Sequence, residues 1–317
     1  MKKYLKLIPA LCLLLVSAIL MGTSTFAWFS MNTRVTATNM QVQAIADQGI
    51  LINEVADATD TNWDNSVNTA TATTIKLHAT STANTDTWYV AYSKSQDDAA
   101  VASSGTPSSN LTIDGYKVLG TDLTTATETV SAVAGSTAQR DILYVDKDND
   151  SAYDENEGYY VKYTYYIKSS ADAITLTPTT TGQSFNIKSV TATTLTSNSA
   201  DLDKALRVAI VVANTAYIYA PVYDYANSEA AADYYVNASS TATTPLDNTV
   251  SYATALTSIP ATTDNGAPIY VYMYFEGEDT NLKTSNVTAT LDNVKIDIEF
   301  ELTTNTTAPA QVGVAIS

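Results

Sequence analysis

Two stretches alternate so regularly that their conformation can be read directly. In "YYVKYTYYIK", Tyr159, Val161, Tyr163, Tyr165 and Ile167 fall on one side of an extended chain, with Lys162, Thr164 and Lys168 on the other. In "VKIDIEFEL", Val294, Ile296, Ile298, Phe300 and Leu302 alternate with Lys295, Asp297, Glu299 and Glu301. A period of two with one apolar face predicts half-buried strands. Further strands are expected over 35–45, 75–79, 87–93, 141–145, 185–191, 206–213, 216–219 and 269–275, and a single short helical turn over 201–205. The run 35–45 changes phase: Val35 and Ala37 share one parity, while Met40, Val42 and Ala44 share the other. That strand breaks near Thr38 and Asn39 and reads as two pieces.

Composition agrees with this pattern. Thr, Val, Ile and Tyr dominate the ordered-looking runs, the chain carries 21 tyrosines, and good helix formers are scarce. Between the strands, 57–74, 95–110, 121–139 and 224–267 are rich in Thr, Ala, Ser and Asn without apolar periodicity, as expected of surface loops or short decorated strands. No Pro- or Gly-rich linker separates two halves, and no fixed-period repeat is visible. The expected fold is all-β: a jelly-roll-like sandwich with long decorated loops and at most one or two short helices.

The N-terminus has a different character. Lys2, Lys3 and Lys6 precede an apolar stretch over 7–21, and small residues Thr25 and Ala27 occupy cleavage-like positions. Residues 1–27 are expected to be a signal peptide and 28–317 a single exported domain starting at Trp28. Pro9 and the polar run 22–25 weigh against a retained membrane anchor. Cleavage would remove three lysines and no acid, leaving thirteen basic residues against 33 acidic ones, a net charge of −20. So acidic a chain repels nucleic acid and anionic lipid. Cys12 is the only cysteine, so no disulfide can staple the exported domain.

Most chemistry is excluded by what is missing. His78 is the only histidine, and alternation in "IKLHAT" sets it beside Lys76 on the watery face. Cysteine catalysis and histidine-cluster zinc sites are therefore ruled out, and no Gly-x-Ser-x-Gly elbow or glycine-rich phosphate loop occurs. No enzymatic activity is expected. One constellation does have ligand spacing: in "DKDNDSAYDENE", Asp146, Asp148, Asp150, Asp154 and Glu157 stand at positions one, three, five, nine and twelve, with the Ala152 carbonyl at seven. A hard cation seeks six to eight oxygens at about 2.3–2.6 Å, and this set supplies them. Ser151 stands where the usual loop bends at Gly, and strands rather than helices flank it. The candidate is a structural Ca²⁺ site pinning a hairpin; the alternative is a plain acidic turn. The tyrosines, Tyr159, Tyr160, Tyr163, Tyr165, Tyr166, Tyr217, Tyr219, Tyr223, Tyr225, Tyr234 and Tyr235, are expected chiefly in the core, with a glycan-binding platform as the alternative.

The first piece of the broken strand, residues 28–37, begins at a freshly released terminus with Trp28, Phe29 and Met31 and continues through Val35 and Ala37. Such a segment can complete the sheet of a neighbouring copy, and a head-to-tail contact that does not close makes a filament. The alternative is an ordinary first strand docked at home.

The junction "GTSTFAWFS", the following "VTATNMQVQA" and the later "VKIDIEFEL" resemble the TasA/camelysin-like family of secreted biofilm-matrix fibre proteins of Gram-positive bacteria. The resemblance covers about a fifth of the chain. It implies a jelly-roll subunit, export to the cell surface or matrix, and homopolymers built by donation of residues 28–37. The chain departs from the family in having Ser30, Met31 and Asn32 where an acidic residue is expected. It also lacks His-Glu-x-x-His, so the metallopeptidase label of some members is not transferred. The expected function is a structural fibre subunit; the alternative is a monomeric calcium-stabilised adhesin or glycan-binding module.

Overall fold

The alternating segments pair into a β-sandwich. The computed structural model describes residues 34–38, 40–46, 49–70, 75–82, 84–92, 115–119, 125–131, 139–145, 157–176, 183–193, 202–221, 251–252, 256–277, 290–292, 294–304 and 315–316. The first seven strands are β1 (Arg34–Thr38), β2 (Gln41–Ala46), β3 (Ile50–Asn53), β4 (Ser66–Ala70), β5 (Ile75–His78), β6 (Tyr89–Tyr92) and β7 (Gly115–Val118). The next seven are β8 (Thr125–Ser131), β9 (Gln139–Val145), β10 (Glu157–Gly158), β11 (Tyr160–Ser169), β12 (Ile174–Thr175), β13 (Gln183–Thr193) and β14 (Leu206–Val212). The last are β15 (Thr215–Tyr219), β16 (Ser251–Tyr252), β17 (Ser258–Ile259), β18 (Ala267–Phe275), β19 (Thr290–Asp292), β20 (Lys295–Thr304) and β21 (Ala315–Ile316). Among the described residues the only helical element is a 3₁₀ turn, Leu202–Ala205, where the sequence predicts its one helical turn.

Two sheets build the sandwich. One runs β21-β15-β14-β18-β11-β9-β8; β11 shares one edge between β9, opposite Tyr160–Tyr163, and β3, opposite Tyr166–Ser169. The other runs β16-β13-β20-β2-β4. Their inner faces form one apolar cluster, with Val161, Tyr163, Tyr165, Ile167, Val271 and Ile210 from the first meeting Val42, Ala44, Ile296, Ile298 and Phe300 from the second. The alternation in β11 and β20 is thus realised as inside against outside. In β13, Phe185 and Ile187 point inward, then Val190 does; a bulge between Ile187 and Ser189 absorbs the odd residue and keeps all three in the core. Phe185 stacks on Phe300 with ring centres 5.3 Å apart.

Local chemistry sets the corners. The hairpin β14–β15 turns on two residues, Ala213 and Asn214, both at positive φ (47° and 67°), with Val212 paired to Thr215. Such a two-residue turn matches the twist of the flanking strands; Asn tolerates the left-handed region and Ala pays a small strain. Every residue of β14 is buried, because a second layer covers the outer face of this sheet: Trp88 packs there with Ala209, Ile218, Ala220 and Tyr274.

Several strands lie where the sequence shows only loop. β4 falls in 57–74 and β8 in 121–139. Their "SVNTA" and "TATETVS" offer Thr and Val but almost no large apolar residue, so pairing with a stronger neighbour, β2 or β9, decides them.

Because Ile298 is fully buried between the sheets while Lys188 and Glu299 meet across solvent at 3.3 Å with side chains 53% and 42% exposed, their replacements should diverge. Ile298→Ala is expected to cost about 2–5 kcal/mol in urea unfolding, and Glu299→Gln less than about 1 kcal/mol.

Candidate functional site: the slot around the N-terminal strand

β1 sits inside a four-stranded sheet ordered β10-β5-β1-β19. It pairs antiparallel with β5 (Arg34↔His78, Val35↔Leu77, Thr36↔Lys76, Ala37↔Ile75) and parallel with β19 (Thr36↔Thr290, Ala37↔Leu291, Thr38↔Asp292). Its backbone is laddered over Arg34–Ala37 on one edge and Thr36–Thr38 on the other, and Ala37 is fully buried in the main core, as is Leu77 across from Val35. The predicted break is real. β2 belongs to the five-stranded sheet, and the corner between the strands is fixed by buried Met40 and by the Gln41 amide donating to the Val294 carbonyl at 2.7 Å.

Of the predicted strand-donor residues, Trp28, Phe29 and Met31 lie outside the described residues. Val35 and Ala37 lie in β1, whose ladder in the isolated chain is closed within the same subunit. The predicted calcium ligands Asp146, Asp148, Asp150, Ala152 and Asp154 also lie outside the described residues. Glu157 begins β10 and pairs in parallel with Lys76, so the end of the acidic loop is separated from β1 by one strand, β5. Among the described residues no group of three His, Cys, Asp or Glu gathers as metal ligands do.

Two expectations for polar side chains are corrected. His78 is not solvated: it is buried, its ring 5.3 Å from that of Tyr159. The chain does not emerge after β5 but stays inside through Ala79, Thr80, Ser81 and Thr82, so neither face of that strand end meets water. Lys168, predicted on the watery face of β11, is 2% exposed. The loop after β3 folds over it, setting Trp63 with its ring centre 4.1 Å from the ammonium and the Ala58 carbonyl 3.3 Å from it. Gly266, at φ +88°, lets Trp63 in: a Cβ there would meet the indole at 2.7 Å.

The tyrosines divide by face. Tyr159, Tyr163, Tyr165, Tyr217 and Tyr219 are buried, which removes them from any surface platform. Tyr160 and Tyr166 are half-buried on the outer face, and Tyr223, Tyr225, Tyr234 and Tyr235 lie outside the described residues. Trp88, which sequence reasoning did not single out, holds the outer cluster together, 4.6 Å from Tyr160 and edge-on to Tyr274 at 5.0 Å. A tryptophan in a Thr-, Asn- and Asp-rich segment is itself the signal that such a loop packs back on the fold; Trp63 and Trp88 both have it.

One polar chain crosses the core. The Tyr165 hydroxyl donates to Thr69 Oγ1 at 2.9 Å, and the Thr69 hydroxyl donates to the Glu54 carboxylate. It ties β11 of one sheet to β4 of the other. Burial raises the Glu54 carboxyl above its usual range, and the Thr69 hydrogen bond offsets only part of this.

Comparison with known proteins adds no relatives: no family model, curated protein or solved structure matches the chain.

A carboxyl whose pKa is raised by folding binds its proton more tightly folded than unfolded, so its contribution is complete below the ordinary glutamate value and fades as pH rises through the raised one. Glu54→Gln, which keeps an acceptor for Thr69, should remove this slope. Urea midpoints at pH 4 and pH 7 should show the variant gaining on the natural chain at the higher pH.

Proposed function

We propose that this chain is an exported structural subunit of a cell-surface or biofilm-matrix fibre, which polymerises by giving its N-terminal strand to the next subunit. The observation that carries the reading is the setting of β1. Backbone ladders hold it on both edges, and β2 begins three positions after it ends, just past buried Met40. A ladder reads backbone, so β1 of a second copy can occupy the same slot between β5 and β19 in the same register, with the same bonds. β2 stays home in this exchange, held between β20 and β4. The fibre is a homopolymer; partners with nucleic acid or membrane lipid do not suit a chain of net charge −17. Calcium on the acidic loop would serve structure, bracing the connection between β9 and the β10 strand that lies beside β5.

Locking β1 at home tests this. The exported form has no cysteine if residues 1–27 are removed, so Thr36→Cys with Lys76→Cys, opposite each other in register, adds one possible disulfide. Oxidised, the protein should remain monomeric by electron microscopy and sedimentation; reduced, it should form filaments. Filaments that form equally well with the disulfide closed would exclude donation of β1.

A further inference from the structure

We propose that Lys168 and Asn53 join in a side-chain amide bond, an internal staple between β11 and β3 made by the fold itself. The register places them together: Tyr166 pairs with Asn53 and Lys168 with Leu51, so Lys168 and Asn53 are diagonal neighbours on one face of an antiparallel pair. Such neighbours stand about 7–8 Å apart along the backbone, within the span of a lysine stem and an asparagine side chain. Both are buried, at 2% and 4% exposure. Asn53 Nδ2 has no hydrogen-bond partner, an unusual condition for a buried amide.

The same carboxamide is arranged for attack at carbon. Its Oδ1 accepts the Glu54 backbone N–H at 2.8 Å, a fixed donor where negative charge would develop in a tetrahedral intermediate. Nδ2, the group that must leave, is the end that nothing holds. Lys168 Nζ is confined beneath the Trp63 indole and the Ala58 carbonyl, which shield it from water and restrict its stem.

The reaction balances without oxidant or cofactor. The Lys168 ammonium releases one proton to solvent, and its nitrogen attacks Asn53 Cγ, forming the C–N bond. The Cγ–Nδ2 bond then breaks, and Nδ2 departs as ammonium, having taken one proton from Nζ and one from solvent in place of the proton released first. The residues linked are 115 positions apart, 168 less 53, so the bond closes a long loop and restrains the unfolded chain as a disulfide would. With Cys12 its only cysteine, the chain cannot obtain that restraint from sulfur. The staple is independent of strand donation and stands or falls separately.

Intact-mass spectrometry of the folded, purified protein decides it, its N-terminus being determined on the same sample. The expected mass is below that of the sequence by one ammonia, and protease digestion should yield a branched peptide joining residues 53 and 168. Asn53→Ala and Lys168→Arg should each restore the full mass and lower the melting temperature. A natural chain at full mass overturns the proposal whether or not the variants fold, and so does a deficit that persists in both.

Discussion

The structure hangs on a parallel pairing between the two ends of the chain. β1 and β2 run beside β19 and β20, and the register is the same on both sides of the corner: each partner carries a number 254 higher, from Thr36↔Thr290 to Ala46↔Phe300. The four- and five-stranded sheets are thereby joined through β1 and β2, whose opposite edges also pair antiparallel with β5 and β4 in the same two sheets. Pairing demands matched phase. Val42, Ala44 and Ala46 face inward opposite Ile296, Ile298 and Phe300, all buried, and a slip of one residue would turn that entire set to water. The small side chains of β2 also suit a neighbour that crosses the core: Tyr165 reaches from β11 to within 3.4 Å of the Val42 carbonyl. Closing so long a loop adds little to the thermodynamic cost, since each doubling of length adds about 0.6 kcal/mol. Its consequence is kinetic, because a ladder between distant segments forms only after the chain between them has been organised.

How far the sequence discloses this depends on which neighbour decides each segment. β11, β14, β18 and β20 carry their own evidence, since a strand with one apolar face needs only some sheet to bury it. The break at Thr38 and Asn39 is equally local, a change of parity that no straight strand accommodates. β4 and β8 carry no such evidence, being polar segments recruited by β2 and β9. Pairing order is not local either: nothing in "VTATNMQVQA" states that it runs parallel to "VKIDIEFEL", although both patterns are plain in each. For the candidate site, the sequence marks where β1 ends, near Thr38, while its neighbours β5 and β19 emerge only from the fold.

The same limit explains His78 and Lys168. Alternation sorts side chains between two faces but does not say whether the outer face is then covered. Here it is covered twice, by the loop bearing Trp63 over the end of β11 and by the segment bearing Trp88 over β14 and β18. Burying a charge or an imidazole this way needs partners, and the ring faces and carbonyls supply them: Lys168 has an indole and a carbonyl, and His78 has the ring of Tyr159. A polar residue next to a strand therefore becomes part of a second core wherever a nearby loop contains a tryptophan with no other place to bury itself.

Strand donation is a question of balance, and its terms can be weighed. A neighbour's β1 makes the same ladder as the resident one, so the ladder favours neither state. The resident strand has the advantage of its tether, an effective concentration in the millimolar range for a short connection, which corresponds to about 4 kcal/mol against a free partner at about 1 μM. Exchange needs a gain that home does not provide. Trp28, Phe29 and Met31 are the groups able to provide it, because each large apolar side chain moved from water into a groove is worth about 1.5–3 kcal/mol. Two of the three suffice to offset the tether. In the proposed fibre, the greasy start of the strand, rather than its paired middle, is therefore what would turn a self-filled slot into a polymerising one.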